Sequence, residues 1–158
     1  MRLLNFIHRN IITLLILITV TVITTTGDRL FAFGVDIRLY RNLLLPWQAI
    51  INASIKDNAK WLEMPVANNT EYAKEVYLSL LEQGYAPPYP EYRVILPWNI
   101  HIYQVIIIPQ PNQVIINGLD VDSALRLDRW IDGVADLNQG AFQAFFDDDR
   151  RLVLFWRI

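Results

Sequence analysis

A chain of 158 residues has room for one domain of ordinary size plus a short appendage. Its 14 Lys and Arg stand against 16 Asp and Glu, a net charge of −2 with no long block of either sign, so the basic stripe of a nucleic-acid binder is missing. The absence of cysteine excludes disulfide frameworks, thiolate catalysis, iron–sulfur clusters and cysteine-rich zinc sites together.

Residues 1–10 form a short leader carrying Arg2, His8 and Arg9, and residues 11–26 follow without a single charge. The run ends at Gly27, Asp28 and Arg29. A helix of that length spans about 24 Å, short of a hydrocarbon core of about 30 Å. Snorkelling basic flanks, or the apolar residues 30–35 beyond, make up the difference. Six of the residues in 11–26 are threonines, which in a membrane helix return their hydroxyls to carbonyls one turn back. A cleaved signal peptide is the competing reading, but no small-x-small site follows at the expected place. A buried soluble element competes less well. The spacing therefore predicts a single transmembrane signal-anchor over 11–28.

Orientation is nearly balanced: Arg2, Arg9 and the α-amino group oppose Arg29, Arg38 and Arg41. A ten-residue leader favours a cytoplasmic N-terminus, with the domain on the periplasmic, lumenal or extracellular side.

Residues 29–62 read as a membrane-proximal helical segment. Pro46 interrupts a helix opening near Ile37, and a second helix is expected from Pro46 to about Leu62, with Trp47, Ile50, Ile51, Ile55, Ala59 and Leu62 on one face. Residues 63–158 then form the domain. A helix over 70–83 starts at Asn69 or Thr70, stops at Gly84, and turns Ala73, Val76, Tyr77, Leu80 and Leu81 inward. The segment 85–92 holds three prolines and three tyrosines and should be extended and stiff. Residues 93–96 and 99–108 read as strand, broken at Pro97, and turn at 109–112 into a strand over 113–117. Asp120 or Asp122 caps a helix running to about Asp132, with Ala124, Leu127, Trp130 and Ile131 inward and Gly133 closing it. Strands over 141–146 and 151–158 make a last hairpin, with residue 158 expected to be held in the sheet. The order is helix, strand, strand, helix, strand, strand: an α+β domain with helices on a mostly antiparallel four-stranded sheet.

Chemistry-bearing residues are sparse. Only His8 and His101 are present, and Ser54, Ser79 and Ser123 lie in no nucleophile setting. The six glycines lack phosphate-loop spacing. Asp120-Val121-Asp122 and Asp147-Asp148-Asp149 resemble cation-holding runs, yet helix capping and a solvated turn explain them without a metal. No catalytic residue, cofactor or metal is assigned. Aromatic surface remains: Tyr85, Tyr89, Tyr92 and Trp98 around the proline-rich segment, and Phe155 and Trp156 in the last strand. The expectation is a non-enzymatic single-pass subunit or assembly factor that contacts the bilayer through 11–28 and other membrane-complex subunits through these rings. The alternative is a membrane-tethered sensing or small-ligand-binding domain.

Overall fold

The computed structural model describes residues 2–62, 70–95, 102–147 and 150–158. The chain divides into two compact units, Met1–Gly34 and Val35–Ile158. Helix α1 runs from Arg2 to Leu39, and the apolar side chains from Ile11 to Ile23 lie on its surface uncovered. Threonine hydroxyls along it donate one turn back as expected: Thr21 to the Leu17 carbonyl at 2.8 Å and Thr25 to that of Thr21 at 2.8 Å. One helical stretch, Asn10–Lys56, is long and apolar enough to cross a membrane.

The helix does not end at Gly27, Asp28 and Arg29 as their composition predicts. Glycine and aspartate inside a helix cost no more than about 1 kcal/mol each. Further along, Leu39, Leu44, Trp47 and Ile51 are buried in the core of the second unit. Nor does Pro46 break the helix. A π-helical turn, Tyr40–Leu44, precedes α2, Leu45–Lys56, and there the Leu45 N–H donates to the Tyr40 carbonyl five residues back. In a regular helix the Pro46 ring would clash with the carbonyl four residues back, and the wider turn accommodates it. Residues from Leu39 onward thus share the core of the sheet domain. Helix α2 also ends earlier than expected, Asn58 taking a φ of 54° just beyond it.

Helix α3, Thr70–Glu82, buries Tyr72, Ala73, Val76 and Leu80 and stops at Gly84, whose φ of 91° suits only glycine comfortably. Leu81, expected inward, is exposed. Strands β1 (Glu91–Ile95), β2 (Ile102–Gln110), β3 (Gln113–Asn117), β4 (Phe142–Phe146) and β5 (Leu152–Arg157) form one antiparallel sheet in the order β1-β2-β3-β5-β4. The sheet has five strands rather than four. What reads as one strand broken at Pro97 is two strands paired with each other, from Glu91 opposite Ile106 to Ile95 opposite Ile102. Pro97 itself lies outside the described residues.

Helix α4, Val121–Asp132, is capped by Asp120, whose Oδ1 accepts the Ser123 N–H at 2.7 Å, and ends at Gly133. The cap accounts for Asp120 in the Asp-x-Asp pair. Helices α2 and α3 lie against β2, and α4 lies against β4.

Both faces of the central strands are buried: Val105, Ile107 and Ile108 on β2, and Val114, Ile115 and Ile116 on β3. Successive strand residues point to opposite faces, so these six cannot all face one layer. Gly118 must be glycine for space as well as conformation: its φ is 94°, and a Cβ there would overlap the Gln104 carbonyl.

Candidate functional site

The register of the sheet defines a row of side chains on one face, Ile106, Asn117, Val153 and Phe145, crossing β2, β3, β5 and β4. Beside it run Ile108, Ile115, Phe155 and Gln143, and then Gln110, Gln113 and Arg157. The middle of this face is buried, but its β4–β5 end is open. Phe145 is 54% exposed and Phe146 68% exposed. The edge of the Phe145 ring meets Phe155, centroids 5.4 Å apart.

Here lies a groove of about 520 Å³ lined by Val153, Phe155 and Phe145, with Gln113, Gln143 and Arg157 alongside and Phe146 at the rim. A second concavity of about 570 Å³ adjoins it, lined by Ile106, Asn117, Asp120, Arg151 and Thr70 among others. Val153 and Asp147 line both. Within this otherwise apolar row the Asn117 Oδ1 is buried and accepts no hydrogen bond. An unmade bond of this kind costs about 1–3 kcal/mol.

The free edge of β4 is closed to strand addition over its first half. The Phe142 N–H donates to Asp132 Oδ2 at 3.0 Å and the Ala144 N–H to the Leu137 carbonyl at 2.8 Å.

The aromatic residues expected at a surface divide. Trp156 is 2% exposed and packs in the core beside Phe142 and Val114. Phe155 is half-buried and floors the open groove. Tyr85 is half-buried, and its hydroxyl donates to Asp57 at 3.0 Å. Burial raises its pKa, and the Asp57 hydrogen bond and charge raise it further. Tyr89 is 47% exposed and meets Tyr77 edge to face at 5.5 Å. Tyr92 is partly buried, and burial raises its pKa against the lowering influence of Arg38. Trp98 and His101 lie outside the described residues, as do Asp148 and Asp149. The structure thus brings Phe155, but not the three tyrosines, to the groove.

Phe145 and Phe146 were missed as site residues although a signal was present. Two adjacent phenylalanines in a strand place one ring on each face, so one of them needs a second covering layer or a partner.

Two other polar clusters are structural. Asp36, fully buried on α1, is bound by the Arg126 Nε at 2.6 Å, and the same guanidinium donates to Ser123 Oγ at 3.0 Å. At the end of α4, Asp128 Oδ2 accepts the Asp136 N–H at 2.5 Å, so with Asp132 it fastens the segment leading into β4. Burial pushes the Asp128 carboxyl above the ordinary carboxylate range. The Asp136 N–H pulls the other way, and Asp132 and the Asp136 charge push upward again. Asp147 accepts the Arg151 N–H at 2.7 Å and shapes the β4–β5 turn. Among the described residues, no group of three or more His, Asp or Glu could hold a metal ion.

Comparison with protein-family models, with characterised proteins and with solved structures finds no match to this chain.

Proposed function

We propose that this protein is a single-pass membrane subunit or assembly factor of a larger membrane complex, acting through protein–protein contact at the β4–β5 face rather than by catalysis. The observation that carries this reading is Phe145, largely exposed and edge to face with Phe155 on one face of the sheet, with Phe146 largely exposed on the other face of the same edge strand. A water-facing strand has no use for such rings, whereas buried aromatic anchors dominate interface energies. The uncovered apolar stretch of α1 supports residence in a bilayer, and the ten-residue leader favours a cytoplasmic N-terminus with the domain across the membrane.

The ligand-binding alternative is less well supported. A small-molecule pocket buries some 70–90% of its ligand. A groove that leaves Phe146 two-thirds in solvent does not enclose its occupant to that degree.

The test replaces Phe145 and Phe146 together by serine and follows partners through detergent extraction of native membranes. Both rings are already exposed, so thermal stability should barely change. Association should fall more than tenfold, since about 1.4 kcal/mol suffices for that factor and single anchors commonly exceed it. Undiminished co-purification at full stability would refute the assignment of this face.

A further inference from the structure

We propose that Asp128 and Asp132 share one proton, and that this carboxyl–carboxylate pair is a pH-sensitive clasp on the edge of the sheet. With the proton in place the pair holds residues 133–141 across the first half of β4. Its loss frees that segment and bares the edge.

Asp128 is fully buried on α4, and its Oδ1 has no N–H or hydroxyl donor. Its Oδ2 accepts the Asp136 N–H. The side chain that hydrogen-bonds to it is the carboxyl of Asp132, one helical turn along. An ionised carboxylate only accepts, so a hydrogen bond between two carboxyls requires a proton on one of them. The charged groups that bear on Asp128 are Asp132 on α4 and Asp136 on the segment beyond it, both acidic. Strand β4, against which α4 packs, carries no titratable side chain. The nearest cations in sequence are turned elsewhere: Arg126 binds Asp36, and Arg129 is exposed. With no cation among these groups, a proton is what relieves the second negative charge.

The same two carboxyls fasten the edge. Asp128 holds Asp136, Asp132 Oδ2 accepts the Phe142 N–H at 3.0 Å, and Leu137 between them accepts the Ala144 N–H at 2.8 Å. Gly140 passes so close that a Cβ there would overlap the Asp132 carboxyl. The Phe142 and Ala144 N–H groups belong to the outward row of β4, the row that an added strand would use. Opening the segment gives water to an ionised Asp128 and uncovers that row. Burial first, and then Asp132 against the pull of the Asp136 N–H, hold the Asp128 carboxyl above the ordinary range. The clasp is therefore tightest below the ordinary aspartate value of about 3.9 and weakens as pH rises to the raised one. Between the two, each pH unit lowers the ratio of closed to open about tenfold.

The test follows amide hydrogen exchange by mass spectrometry in the full chain in detergent, each rate divided by its unstructured value at the same pH. Protection of residues 136–144 should fall about tenfold per pH unit from about pH 4 upward and then level off. Strands β2 and β3 should stay at least tenfold better protected throughout. Asp128→Asn keeps an oxygen for Asp136 and offers Asp132 an N–H, so its profile should be flat and closed. Asp132→Asn offers an N–H to the ionised Asp128, so its profile should level off at lower pH. Infrared spectra of the parent should show a protonated-carboxyl band that outlasts those of the surface carboxylates and disappears where protection levels off.

A flat profile in the parent, equal protection of 136–144 and the central strands at every pH, or an undiminished pH dependence in Asp128→Asn would overturn the clasp. An unmoved profile in Asp132→Asn, or the absence of the infrared band, would overturn the shared proton.

Discussion

Asp128 shows how much of this fold depends on single polar groups placed where water is absent. Its carboxyl is fully buried, accepts the Asp136 N–H and neighbours Asp132, and its pKa is raised chiefly by burial. In the unfolded chain the same group ionises near 3.9. Below that value both states carry the proton. Above it the unfolded chain gives up the proton while the folded one still holds it, so the stabilisation from this group fades as pH rises through the folded value. Asp128→Asn imitates the protonated form and still offers an oxygen to Asp136. It should raise the melting temperature at pH 7 by a few degrees and change it little at pH 4. Melting curves of parent and variant at both pH values test this, and an equal gain at the two would show that ionisation is not involved.

Among the elements, the helical stretch from α1 through α2 departs furthest from what its residues forecast. A π-helical turn amounts to one extra residue in an α-helix, and here Arg41 and Asn42 of that turn are exposed. In a Pro46→Ala background, which removes the ring that the turn accommodates, deletion of Asn42 should let the turn revert to α-helix with Trp47 and Ile51 still facing the core. Deletion of Ala49 in the same background rotates everything beyond it by about 100° and carries Ile51 out of the core. Circular dichroism melts should show the Asn42 deletion folded with a modest loss, and the Ala49 deletion far less stable. Equal losses would mean that the turn is as intolerant as the helix around it. The β4–β5 hairpin carries the complementary lesson. Phe145-Phe146 and Phe155-Trp156 are both adjacent aromatic pairs, and strand geometry dictates that each pair straddles the sheet. Which ring becomes core depends on register and on what covers each face.

For the molecule as a whole, the uncovered apolar length of α1 leads to a topology that can be measured. Alkaline carbonate should leave the protein in the membrane pellet, because a spanning helix is held by far more than surface charge. Protease added on the side opposite the leader should digest the domain and spare residues 1–10. Release into the carbonate supernatant would remove the membrane from the account. Digestion of the domain from the leader's own side would keep the anchor and reverse the orientation.

Several features were legible in the residues themselves because they depend on neighbours in the chain. The apolar run over 11–26, the threonine back-bonds, the Asp120 cap, the stops at Gly84 and Gly133 and the two hairpins over 102–117 and 142–157 all arise from contacts within a few positions or from simple periodicity. The rest was decided by residues far apart in sequence. Burial of Leu39, Trp47 and Ile51 in the core of the sheet domain held the helix past Pro46. Pairing of β1 with β2 made two strands of what looked like one. The second face of the sheet, covered at Ile108 and Ile115 yet open at Phe145, determined that Phe155 floors a groove and Trp156 fills the core. Alternation along a strand assigns side chains to two faces, but only the packing of the whole chain determines which face is covered and which is left open.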